Sequence, residues 1–294
     1  MSTNFQIVVD STVDLPARLA DEWGLHVIPY IFIVDGKEHL NHLDYRELSA
    51  KDFYDKLRSG KSASTTQVTV FRYIEAWEPY LKSGKDILYM CLSSGLSKSF
   101  EQSLLAVEEM KKRYPERRVV AIDTKSASLG QGALAYYAWR AKNEGKNLSD
   151  VAEHIEKLIP NLQHWAMADD LHHLRRGGRV SGAAAFVGTM LNVKPILTVE
   201  DGGKLVPVKK VRGRKKAVEY LVEQMVLQDV KMDGQVIVIA HSDEISLATE
   251  LKNAITAQFG ECEFIINELG PVIGAHTGPG TIAMGYLGGA RPIL

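Results

Sequence analysis

Cysteine is almost absent from this chain, with Cys91 and Cys262 the only two. Neither lies in a metal-type or redox-type spacing, so a disulfide framework, a zinc finger and a thioredoxin-like centre are all excluded. Two lone thiols without a signal-like start lead us to expect a reduced, cytoplasmic protein. Long apolar runs are missing too, and any greasy ligand would have to be held inside the fold. Nor is there an excess of charge of one sign: 35 Lys and Arg face 36 Asp and Glu, for a formal net charge of -1. General affinity for nucleic acid needs a strong positive excess, so no nucleic-acid partner is expected. There is no Gly-x-Ser-x-Gly elbow, no phosphate loop ending in Gly-Lys-Ser/Thr, no internal repeat and no low-complexity tract.

What is present has the balance of a globular protein. Apolar residues make up 45% and charged residues 24% of 294 positions, enough for one large or two medium domains. The first half alternates strand and helix signals. Gln6 to Val9, His26 to Val34, Ile87 to Leu92 and Val119 to Ile122 read as strands. Ser49 to Leu57, Val70 to Leu81, Leu104 to Tyr114 and Leu134 to Lys142 read as helices, and Pro16 suits a helix start with Asp14 or Thr12 as cap. Repeated βα units imply a mainly parallel sheet covered on both faces. Three hydroxyl-rich or acidic loops follow strands: Asp10-Ser11-Thr12, Ser93 to Ser99, and Asp123 to Ser128. Ligands of open parallel sheets sit outside the carboxyl ends of strands, so the three together are expected to form one site.

The second half is less regular. Pro160-Asn161 is a plausible domain boundary, and His164 to Ala168 reads as a strand. Arg175-Arg176-Gly177-Gly178-Arg179 reads as a basic turn whose glycines let the backbone approach a neighbour or ligand. Ser181 is the expected cap of a small-residue helix over Gly182 to Leu191, ended by Lys194-Pro195. Ile196 to Val199 and Leu205 to Val208 flank Asp201-Gly202-Gly203 as a hairpin. Helices are expected over Val151 to Leu158, Val218 to Leu227 and Ile245 to Phe259, and strands over Val236 to Ala240 and Phe264 to Ile266. Adjacent His172 and His173 point different ways on a helix, so a shared metal is not expected. The basic run Lys209 to Lys216 suits an anionic surface or acidic partner better than nucleic acid, given the acidic remainder. His276, among glycines, reads equally well as structural or as a ligand contact.

Five motifs carry a resemblance in their order along the chain. They are Asp10-Ser11-Thr12-x-Asp14-Leu15-Pro16, Ser93-Ser94-Gly95-Leu96-Ser97, Asp123-Thr124-x-Ser126, Leu174-Arg175-Arg176-Gly177-Gly178-Arg179 with Lys194-Pro195-Ile196, and Gly274-Ala275-His276-Thr277-Gly278-Pro279-Gly280. Over essentially the whole chain this pattern resembles the DegV family of bacterial fatty-acid-binding proteins, some of which are the acyl-carrying subunit of fatty acid kinase. The resemblance implies an α/β, two-domain DegV-like fold. Residues 1–160 would form a mainly parallel α/β/α sandwich, and residues 161–294 an α/β domain similar to part of dihydroxyacetone kinase. A palmitate-like fatty acid would lie between them, with no other cofactor and no metal.

The resemblance also implies site residues. A Thr, a Ser of the Ser-Ser-Gly loop and the Gly-Ala-His histidine would hold the carboxylate, here Thr65, Ser94 (or Ser93) and His276, with Arg179 and Ser97 in the surrounding polar network. The chain departs from the family's usual Thr-Ser-Gln-Pro-Ser at Thr65-Thr66-Gln67-Val68-Thr69, and from Ser-Gly-Thr-Tyr at Ser97-Lys98-Ser99-Phe100. The implied function is a carrier, not an enzyme, presenting the carboxylate to a partner kinase. Arg175, Arg176, Arg212 and Arg214 would form a basic patch for that partner or for an anionic membrane. Two rival readings are a serine-type acyl hydrolase or transferase, with Ser94 as nucleophile and His276 as base, and a lipid-sensing regulator.

Overall fold

The computed structural model describes residues 4–169, 172–180 and 192–293. The expected helix Gly182 to Leu191 and its Ser181 cap lie outside the described residues. The first half builds β1 (Phe5–Asp10), β2 (His26–Ile28), β3 (Tyr30–Val34), β4 (Lys37–Asn41), β5 (Ala63–Thr66), β6 (Asp86–Cys91) and β7 (Val119–Asp123). Its helices are α1 (Ala17–Glu22), α2 (Ala50–Arg58), α3 (Val70–Lys82), α4 (Ser99–Arg113), α5 (Leu129–Asn143) and α6 (Leu148–Leu158). Four of these strands form a wholly parallel sheet in the order β2-β1-β6-β7. β1 is buried along its whole length, as a strand covered on both faces must be.

The second sheet is different in kind. It is formed by β8 (Leu162–Met167), β9 (Val193–Val199), β10 (Leu205–Arg212), β11 (Val236–His241), β12 (Glu263–Glu268) and β13 (Ile282–Leu287). The order is β10-β9-β8-β13-β11-β12, and only β11 and β12 pair in parallel. With it come α7 (His172–Gly177), α8 (Arg214–Leu227), α9 (Ile245–Phe259) and α10 (Pro271–Thr277). The hairpin about Asp201-Gly202-Gly203 forms as expected.

Several expectations need correction. His26 to Val34 is two strands, because Pro29 has no N–H to continue the ladder and the chain turns into a separate antiparallel sheet, β4-β3-β5. Neither Asp14 nor Thr12 caps α1. Asp10 instead accepts the Thr12 N–H, and Asp14 sits in the left-handed region at φ 49. Arg175 and Arg176 lie on a short helix rather than in a turn, and Gly178 ends it with φ +65. Lys194 and Pro195 belong to β9. Arg214, half-buried, is paired rather than free: its Nη2 bonds Asp169 and Glu244, each at 2.9 Å.

The strands divide near residue 160, but the packing does not. One core joins Ile7 and Val9 of β1, Leu134 and Ala138 of α5, and Val236, Val238 and Ala240 of β11. A second core lies on the other face of the parallel sheet, around Tyr73, Trp77 and Tyr89. A third lies under α8 and α9.

Candidate functional site

A cavity of about 290 Å³ opens where the carboxyl-end loops of the parallel sheet meet α7, β9, β10 and α10. Leu92, Ala127, Val199, Leu205, Val272 and Ile273 give it an apolar wall, and Thr65, Gln67, Ser97, Lys98, Arg179 and His276 gather as its polar groups. A smaller chamber of about 80 Å³ adjoins it and shares Ala127, Val199, Leu205, Ile273 and Thr277 as lining. Both halves of the chain therefore build the space.

Thr65 and His276, remote in sequence, meet here. Thr65 is on β5, held in register opposite Phe32 of β3, and His276 is in the last turn of α10. Thr65 Oγ1 and His276 Nε2 are 2.9 Å apart. His276 Nδ1 has no partner among the described residues, and it is packed so closely on Gly177 that a Cβ there would collide with it. Burial first, and then the Arg179 and Arg176 charges, push the His276 pKa down to about 4, so the ring is neutral near pH 7. Arg179 is anchored through backbone acceptors, Nη1 to Gly177 O at 2.7 Å and Nε to Leu96 O at 3.3 Å.

The serine loop divides its hydroxyls among different tasks. Leu96 and Ser97 both return N–H bonds to the Ser93 carbonyl, and this turn swings Ser97 into the cavity lining. Ser97 Oγ lies 3.0 Å from Ser99 Oγ. Ser94 does not join Thr65 and His276: its exposed hydroxyl donates to Asp123 Oδ2 at 2.5 Å. Ser93 is buried, donates to Gly203 O at 2.7 Å and accepts from Gly95 N at 3.1 Å. Neither hydroxyl lines the cavity. Lys98 is exposed and stands in the lining.

The departure at Val68 has a structural counterpart. Val68 N donates to Ser99 Oγ at 3.1 Å, a bond that a proline at this position would lack. Of the three strand-end loops, those after β6 and β7 reach the cavity through Ser97 and Ala127. Asp10-Ser11-Thr12 lies beneath. Asp10 Oδ2 accepts from Leu92 N at 3.0 Å and from Tyr89 OH at 3.1 Å, and Thr12 Oγ1 donates to Asp10 Oδ1. Ser11 Oγ accepts from Tyr30 N at 3.0 Å.

The sequence offered no sign of how α10 is seated. Asp14 Oδ1 accepts from Gly270 N at 3.0 Å, and Tyr54 OH donates to Leu269 O at 2.6 Å, just before α10 begins. Asn267 Nδ2 donates to the Asp14 carbonyl at 2.9 Å. The first half thus clamps the segment that delivers His276. Among the described residues no group of three metal-ligating side chains is found. Ser94 and His276 are each bonded elsewhere, so no hydrogen-bonded nucleophile–base pair links them.

Fold and site together define an α/β protein with a largely apolar pocket that also carries a group of polar side chains. The chain belongs to the DegV family: the family described as "Uncharacterised protein, DegV family" matches residues 4–288. A DegV domain-containing protein of Clostridium perfringens, CPE0026, is 39% identical over 287 residues, covering 98% of each chain. Among solved structures, a DegV family protein from Thermus thermophilus, described for its fatty acid binding, is 30% identical with a TM-score of 0.86, covering 97% of this chain and 99% of its own. DegV of Bacillus subtilis, described as a fatty acid binding protein, is 28% identical with a TM-score of 0.85, covering 98% of this chain and all of its own.

Proposed function

We propose that this protein binds a long-chain, palmitate-like fatty acid between its two halves, residues 1–160 and 161–294, and presents the carboxylate at the polar end of the cavity. The observation that carries this reading is the 2.9 Å pairing of Thr65 with His276 at the polar end of an otherwise apolar space. Each buried methylene gains about 0.8 kcal/mol, so the tail supplies most of the gross affinity. The head group still needs partners, because an unpaired buried charge is expensive. In this reading Thr65, Ser97 and His276 supply hydrogen bonds and Arg179 the positive field, without a bidentate arginine clamp that would occupy both oxygens. Ser93 and Ser94 act on the loop rather than on the lipid.

The fatty-acid binding described for the Thermus and Bacillus relatives supports the same ligand class. The chain carries no nucleotide-binding motif, so acyl-phosphate formation would fall to a partner kinase, for which an unesterified carboxylate at the cavity's polar end is the substrate. Exposed Arg175, Arg176 and Arg212 offer that partner, or an anionic membrane, a basic approach.

The test is binding of a fatty acid and of the fatty alcohol of equal length to delipidated protein. The acid is expected to bind at least tenfold tighter, since a hydrogen bond to a charged group contributes roughly 1.5–3 kcal/mol. Thr65→Val and Ser97→Ala should each narrow that gap, and Ser94→Ala should leave it unchanged. Equal binding of acid and alcohol would show that the tail alone accounts for affinity and would remove the carboxylate site.

A further inference from the structure

On the side of the first half, the passage between the cavity and its inner chamber is walled by Ala127. Of the lining the two spaces share, Val199, Leu205, Ile273 and Thr277 come from the second half, and Ala127 comes from the loop between β7 and α5. Alanine has no rotamers with which to yield, so the backbone sets the width of the passage on this side. That backbone is strained. Lys125 has φ 46, and Ser128 has φ 53 with ψ -144, conformations that residues with a Cβ rarely adopt. They persist only where the surroundings hold them, and they collect at ligand clamps and moving segments.

The hold comes from outside the cavity, from the C-terminal tail. Arg291 is buried there. Its Nη1 donates to Lys125 O, its Nη2 to Ser126 Oγ at 2.9 Å, and its Nε to Leu162 O at 2.7 Å at the start of β8. The tail is itself braced: Arg291 N donates to Pro160 O at 2.9 Å, Gly288 N to Asn161 O at 2.9 Å, and Asp201 N to Pro292 O at 3.0 Å. All three guanidinium nitrogens thus end on uncharged acceptors. Burial pulls the Arg291 pKa down to about 10, against the opposing pull of Asp201 and Asp123, and the group stays charged at neutral pH. A buried charge with no carboxylate at its nitrogens is costly, and an apolar side chain would fill the same space without that penalty. What the arginine adds is a rigid fork that grips two separate segments at once.

We propose that Arg291 is a positioning residue for the tail of the ligand: it latches residues 125–128 from behind, fixes Ala127 at the passage, and so sets how fast a long acyl chain enters and leaves the inner chamber. The proposal rests on the fatty-acid reading above and adds to it a control on exchange that is separate from recognition of the carboxylate. Arg291 touches neither cavity, whereas Thr65, Ser97 and His276 line the outer one. Loosening the latch therefore acts on the tail and leaves the head-group contacts in place. A tail too short to reach Ala127 does not sense the latch.

The experiment measures the release of saturated fatty acids, from octanoic to octadecanoic, from the full chain by stopped-flow displacement. From Arg291→Met the longest acids should dissociate about three- to tenfold faster than from the original protein, the effect of losing about one net hydrogen bond of hold. The shortest acids should leave at the original rate. The preference for an acid over the alcohol of equal length should stay as it is. An unchanged rate for octadecanoic acid overturns the proposal. Equal acceleration at every chain length also overturns it, because a general loosening of the fold would do the same. If Arg291→Met does not fold, Ser126→Ala decides by the same dependence on length, since it removes the Nη2 acceptor and leaves the other two guanidinium bonds. Failure of octadecanoic acid to bind the original protein would instead overturn the fatty-acid reading itself, so the two failures are distinguishable.

Discussion

At the residue scale, Asp14 shows how a motif can be legible while its role is not. The Asp-Ser-Thr-x-Asp pattern stands out in the sequence, and helix capping was its simplest reading. In the fold Asp14 is fully buried, and burial pushes its carboxyl up to about 8, so it is largely protonated at neutral pH. The folded state then binds more protons than the unfolded chain between the ordinary carboxylate value of about 4 and about 8. Stability from this group is fully present below that window and declines as pH rises through it. Asparagine mimics the protonated acid. Asp14→Asn should therefore match the original protein near pH 4, exceed its stability at pH 7 and abolish the decline between about pH 4 and about 8, as read by urea unfolding across that range, whereas Asp14→Ala should lose the Gly270 bond and about 1 kcal/mol relative to Asp14→Asn. Ser94 teaches the complementary lesson. Four hydroxyls lie between Ser93 and Ser99, and composition does not say which one turns inward; the turn closed on the Ser93 carbonyl and the capture of Ser94 by Asp123 decide it.

At the scale of elements, long periodic segments were readable and short ones were not. The helices over Ser49 to Leu57 and Val70 to Leu81 appear within a residue or two of their expected bounds, because each repeats an apolar face every three or four positions. β5 was not readable: Ala63-Ser64-Thr65-Thr66 has no apolar alternation, and its pairing with β3 is a tertiary fact. β13 carries Gly285 in its centre, which weakens any strand signal. α10 has seven residues between glycines and reads as a loop, so His276 could be singled out but not aimed. Its aim depends on the clamp ahead of the helix. Tyr54→Phe leaves the buried Leu269 carbonyl without its 2.6 Å donor and should cost roughly 1–3 kcal/mol, with weaker ligand binding as α10 loosens. Tyr45→Phe, whose hydroxyl reaches Glu268 O at 3.4 Å, should cost far less. Similar losses from both substitutions in chemical denaturation would argue against a specific role for Tyr54.

At the scale of the whole molecule, the sequence boundary at Pro160-Asn161 marks where one sheet gives way to the other, but side-chain packing crosses it. α5 packs on β1 on one side and on β11 and β13 on the other, so its apolar residues serve both sheets. Removing either half would expose Leu134, Ala138 and their neighbours to water. We expect a single calorimetric transition with equal van't Hoff and calorimetric enthalpies; two resolved transitions would show that the halves are energetically separate. Leu134→Ala should destabilise that one transition by about 2–5 kcal/mol, as a buried leucine does when it serves a single shared core.

The hydrogen bond from Ser93 to the Gly203 carbonyl also has a consequence for recombination. It ties the serine loop of the first half to the hairpin turn of the second, where Gly95 packs against the Gly203 backbone. Arg291 adds a second tie, to Lys125 O and Ser126 Oγ. Chimeras that exchange the halves of two relatives at residue 160 would inherit these seams from different parents. Seams of matched shape would give a folded hybrid, whereas a bulkier residue at either glycine would wedge the halves apart and open the pocket they share. The compatibility of two parents is therefore set at this junction rather than by their average sequence identity.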